Sequence, residues 1–152
     1  MRSSFLVLAL LSSLPACSGD DGEEEQVDCI AMTEDDDFVI GLSKTGENGL
    51  YTFKLVEFSP APPARLLNDW TIEVTSTAAG AAPLANATIA VTPYMPQHGH
   101  GAGIDVEVEP MATAGNYKLT PINLHMPGLW EVTIQVQAPT EDLVVFKPCI
   151  PN

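Results

Sequence analysis

An all-β fold is predicted for this 152-residue chain, a sandwich of two antiparallel sheets with about seven short strands, and three observations predict it. Short runs alternate apolar and polar residues with the period of a strand that buries one face. Gly, Pro and Asn separate these runs, as turn signals separate the strands of a sandwich. No stretch carries the apolar period of an amphipathic helix.

The elements follow in order. Residues 38–43 and 50–58 read as two strands joined at Gly46-Glu47-Asn48-Gly49, a hairpin loop. In the second strand Tyr51, Phe53 and Leu55 oppose Thr52 and Lys54, but Val56 and Phe58 blur its outer face. Pro60, Pro62 and Pro63 mark an irregular connection. Residues 68–75 then turn Trp70, Ile72 and Val74 inward, and residues 78–83 form a second irregular connection. Residues 89–94 precede a strand over 104–109, in which Ile104, Val106 and Val108 oppose Asp105, Glu107 and Glu109. Residues 117–124 come next. The clearest alternation lies at 129–137, with Trp130, Val132, Ile134 and Val136 on one face. Residues 143–147 complete the set. Residues 38–152 thus make one domain of ordinary size, without an internal repeat.

The first sixteen residues have the layout of a secretory signal: Arg2, an apolar run from Phe5 to Leu11 too short to span a bilayer, and small residues before Cys17. Leu14-Pro15-Ala16-Cys17 resembles the lipobox of bacterial lipoproteins, which implies a lipid on Cys17 and attachment to a membrane. Ser18 at the next position implies, by the same resemblance, the outer membrane, with the domain facing the periplasm or the surface. An ordinary signal cut after Ala16 is the alternative.

Residues 17–37 read as an acidic tether. From Ser18 to Asp37 there are ten acids and no Lys or Arg, a composition that repels itself and buries little. Residues 38–152 carry ten acids against five bases, a net charge of −5, so most of the overall −14 belongs to the tether. Nucleic acid is an unsuitable partner for such a chain. Cys29 and Cys149 flank the domain, and an even pair in an oxidising compartment points to a disulfide. That bridge would leave only residues 18–28 as free tether.

The residues able to do chemistry cluster. All three histidines lie in Met95-Pro96-Gln97-His98-Gly99-His100-Gly101 and His125-Met126-Pro127-Gly128. Imidazole with thioether is a donor set that suits copper, since soft sulfur selects Cu(I). If residues 89–94 run up, 104–109 run down and 117–124 run up again. Met95, His98, His100, His125 and Met126 then meet at one end, and Met111 falls at the other. Asp105 is the nearest acid and could orient an imidazole. No nucleophile elbow, phosphate-binding glycine loop or carboxylate pair is present, so an enzyme is not expected.

Tyr94-Met95-Pro96-Gln97-His98-Gly99-His100-Gly101, Gly115-Asn116-Tyr117 and His125-Met126-Pro127-Gly128-Leu129-Trp130-Glu131-Val132 together resemble the YtkA-like domain, a relative of FixH-type domains. Residues 144–149 look like that family's end. The resemblance implies an immunoglobulin-like sandwich exported from the cytoplasm, in a setting of copper handling and oxidase assembly. The spacing from His100 to Met111 also resembles periplasmic copper chaperones of the PCuAC type, but the later intervals depart from that pattern.

Two readings remain open at this level. In one, Met95, His98, His100, His125 and Met126 bind copper for delivery to an acceptor protein. In the other, Pro and Gly shape tight loops, Met95 and Met126 pack against Trp130, His98 and His100 bond loop carbonyls, and the domain is a non-catalytic interaction module of the envelope.

Overall fold

A computed structural model describes residues 26–152. The signal at 1–16, Cys17 and the first part of the acidic tether lie outside the described residues. The strands are β1 (Ser43–Thr45), β2 (Tyr51–Ser59), β3 (Leu66–Ser76), β4 (Thr88–Met95), β5 (His100–Gly101), β6 (Glu107–Pro110), β7 (Asn116–Leu124), β8 (Gly128–Leu129), β9 (Glu131–Ala138), β10 (Asp142–Phe146) and β11 (Cys149–Ile150). They form an antiparallel five-stranded sheet, β1-β2-β3-β7-β6, and an antiparallel four-stranded sheet, β10-β9-β4-β5. A short ladder, β11-β8, joins the ends. The expected all-β sandwich is therefore the observed fold, with short extra strands around the core.

Alternation decides which side chains enter the core. Tyr51, Phe53, Leu55, Trp70, Ile72, Val74, Tyr117 and Leu119 come from the first sheet. Val132, Ile134, Val136, Val144 and Phe146 meet them from the second. The blurred face of β2 has a physical cause. A bulge between Leu55 and Glu57 shifts the register by one residue, so Phe58 returns to the buried face opposite Trp70.

Two sequence expectations are corrected. Residues 38–42 are not a strand; the pairing begins at Ser43. A turn occupies 40–41 with Gly41 at φ 94°, and it leaves Val39 and Ile40 exposed. The expected strand at 104–109 shrinks to β6, because the chain must cross from the second sheet to the first after β5. Ile104 is consequently exposed instead of inward. Beyond Cys29, part of the acidic stretch is fastened to the domain. Asp36 forms an ion pair with Lys44 at 2.6 Å, and its Oδ2 accepts the Lys147 amide at 2.7 Å. The Asp36 amide in turn donates to the Lys147 carbonyl at 2.8 Å.

One buried charge clasps the two sheets. Asp142, at the start of β10, is fully buried. Its carboxylate accepts the amides of Asn48, Leu50, Tyr51 and Leu143 at 2.8–3.1 Å. Burial alone would raise the Asp142 pKa, but these four backbone donors outweigh it and hold the carboxyl below its ordinary value. Gly46 is required beside it, since a Cβ there would land on the carboxylate.

Candidate functional site

The end of the sandwich carrying the histidines is built by two turns. After β4, the amides of His98 and Gly99 donate to the Met95 carbonyl at 3.2 and 2.9 Å. Gly99 takes φ 69°, and β5 returns to pair His100 with Met95 and Gly101 with Tyr94. Pro96 and Gly99 thus supply the turn chemistry, and the two histidines of His98-Gly99-His100 flank it. After β7, His125 leads into Met126-Pro127, and Gly128, the first residue of β8, adopts φ 126°. A Cβ at Gly128 would collide with the Met95 methyl group, so the second turn sits directly on the first.

Three imidazoles follow one another across this end. The His98 and His100 ring centroids are 5.7 Å apart. His100 and His125 are stacked at 5.3 Å with 23° between their planes. Trp130 underlies both, edge-on to His125 at 5.3 Å and to His100 at 6.3 Å. The indole is fully buried, and its Nε1 donates to the Met126 carbonyl at 2.9 Å, which fixes the turn over it. Arg65 reaches the same turn, donating from Nε to the His125 carbonyl at 3.0 Å.

The ring nitrogens differ in what they have to bond. His100 Nδ1 lies 3.0 Å from the Gly101 carbonyl, a contact that makes Nδ1 the protonated nitrogen and frees the Nε2 lone pair. His125 Nδ1 is buried and has no hydrogen-bond partner among the described residues. An orphaned buried nitrogen costs about 1–3 kcal/mol, and a ligand at that atom removes the cost. This donor set fits a soft or borderline metal ion. The fit is not preassembled: among the described residues no three His, Cys, Asp or Glu side chains converge as a metal cage.

The expected ligands divide accordingly. His98, His100 and His125 are brought together. Met126 is half-buried beside them. Met95 is fully buried and belongs to the hydrophobic core. Met111 is 44% exposed, and its amide bonds the carbonyl of Asn116 where β7 begins, a strand's length from His125. Asp105 is exposed and forms no hydrogen bond to an imidazole; the backbone carbonyl of Gly101 orients His100 instead.

A cavity of about 670 Å³ opens beside the histidines. His98, Met126, Pro127 and Arg65 form one wall, and the segment from Gln26 to Met32 contributes the other. The disulfide between Cys29 and Cys149, with Cα atoms 5.6 Å apart, holds that segment in place. Met32 and Arg65 were not among the expected site residues. The signal that could have found Met32 is the pairing of Cys29 with Cys149, which carries residue 32 to the end where β11 meets β8.

The model of the YtkA-like family matches residues 47–135, more than half of the chain. This chain belongs to the YtkA-like family. The matched range holds both histidine-bearing turns of the YtkA-like domain, whereas Cys29, Met32, β10 and β11 lie outside it. No curated protein and no solved structure matches the chain.

Proposed function

We propose that this YtkA-like domain binds copper at its histidine end and passes it to an acceptor protein. The orphaned Nδ1 of His125, stacked on a His100 ring whose Nε2 is free, carries the reading. His98 and Met126 would complete the donor set from the cavity side, with Met95 beneath them. Neutral imidazole and thioether donors favour copper over the hard cations that seek carboxylates. The chain acts as a carrier and not as an enzyme, held to the membrane by a lipid on Cys17 and displayed outside the cytoplasm, at the outer membrane.

A second reading is favoured by a different observation. Leu66, Leu67, Tyr94 and Ile104 are exposed, and pairing of Leu66 with Leu124 and of Tyr94 with Gly101 places the first and third beside the histidine turns. In that reading the end is a non-catalytic contact surface for an envelope protein, and the His100 contact to Gly101 is loop architecture.

Titration of residues 26–152 with Cu(I) and with Cu(II), beside a His98→Ala/His100→Ala/His125→Ala variant, separates the two. Stoichiometric binding that the variant loses is the expected result. Absence of binding by a folded wild-type domain would leave the contact surface.

A further inference from the structure

We infer that Met32, on the disulfide-held segment before the first strand, is an additional thioether ligand that makes this end selective for a soft monovalent cation, Cu(I) or Ag(I); the inference rests on the metal-binding reading above. Met32 is half-buried and shares a cavity of about 670 Å³ with His98 and Met126. Two thioethers and an imidazole lining one cavity are the donors that soft d¹⁰ ions take.

The position is fixed, not incidental. Cys29, three residues earlier, is bonded to Cys149, and the Val27 amide donates to Asn152 Oδ1 at 2.6 Å. Cys149 pairs with Leu129 in the β11–β8 ladder, which follows directly on the Met126 turn. The segment carrying Met32 is thereby anchored to the strand that carries the other half of the cavity. The wall carries charge of both signs. Arg65 contributes a permanent positive charge there. The acid present, Asp28, has an Oδ1 that already accepts the amides of Ile30 and Ala31 at 3.0 and 3.1 Å. Neutral thioethers do not depend on carboxylate help, so the selectivity comes from the softness of the donors themselves.

The test uses the full chain in detergent, with Cu(I) measured by chelator competition under anaerobic conditions and Cu(II) measured separately. Met32→Leu keeps volume and apolarity. It should weaken Cu(I) by about tenfold or more, the scale of losing a partner at a metal site, while leaving Cu(II) within about twofold. Copper X-ray absorption of the Cu(I) form should lose one sulfur scatterer in the variant. Three results would overturn the inference: an unchanged Cu(I) affinity, an equal loss for both oxidation states, or an unchanged sulfur shell. If wild type binds Cu(I), the three-histidine variant does not, and Met32→Leu is silent, the site reading stands and this inference falls. If wild type binds no Cu(I), both fall.

Discussion

Two residues at the histidine end, Leu66 and Gly128, take positive-φ conformations that a side chain resists. Leu66 has φ 80°, a region that costs a non-glycine residue roughly 1–3 kcal/mol. The buried Asn68 amide holds it there, donating to the carbonyls of Ala64 and Leu66 at 2.8 and 3.0 Å. Since the Leu66 side chain is 58% exposed, Leu66→Gly should cost no stability and should raise it by about 0.5–1 kcal/mol, measured by urea unfolding. A loss of stability would mean that the leucine packs against something at this end. Gly128→Ala should act oppositely, losing roughly 1–3 kcal/mol as its methyl meets Met95. Single residues of this kind were only partly legible in the sequence. Gly128 lies in a recognisable Met-Pro-Gly turn, but nothing local distinguishes Leu66 from Leu67. Its conformation depends on Asn68 and on pairing with β7, which are contacts made through the fold.

Strands with one buried face were legible because a period of two is written directly into the chain. β3 and β9 carry the Trp70-Ile72-Val74 and Val132-Ile134-Val136 faces that the alternation predicts. Failures came where an element changes sheet or register. The β2 bulge moves Phe58 inward, and the passage from β5 to β6 strips residues 104–106 of pairing. Asp142 was equally hidden, since three of its four amide donors lie in a hairpin nearly a hundred positions earlier in the chain. Its carboxyl titrates lower in the folded chain than in the unfolded one. The resulting stability is therefore complete above the unfolded value of about 4 and is lost as pH falls through the folded value. Asp142→Asn should cost roughly 1–3 kcal/mol at pH 7, because amide donors are left without an acceptor. The gap from wild type should narrow towards pH 3, and a gap that stays constant in urea melts at both pH values would sink the assignment.

For the molecule as a whole, one covalent bond sets the limits of the domain. An even pair of cysteines in a chain expected to be exported made the disulfide legible, and it encloses a sequence separation of 120 residues. In the chain-entropy account, closing so long a loop contributes roughly 5 kcal/mol. Cys29→Ser/Cys149→Ser should forfeit about that much in chemical unfolding, and a loss below about 1 kcal/mol would show that the unfolded chain is already compact. The gathering of the three histidines was legible from strand direction alone, since each crossing of the sandwich reverses the end at which a loop lies. The cavity was not, because its second wall comes from a segment whose acidic composition reads as spacer. The same bond determines how the molecule carries load. A pull on the chain ahead of Cys29 passes through sulfur to Cys149 and into the short β11–β8 ladder, bypassing both large sheets. Held by residues 26 and 152, the oxidised domain is a closed ring that cannot be drawn out. Tension runs instead along residues 26–29, the sulfur bridge and residues 149–152, beside the Leu129 pairing and the turn that carries His125 and Met126.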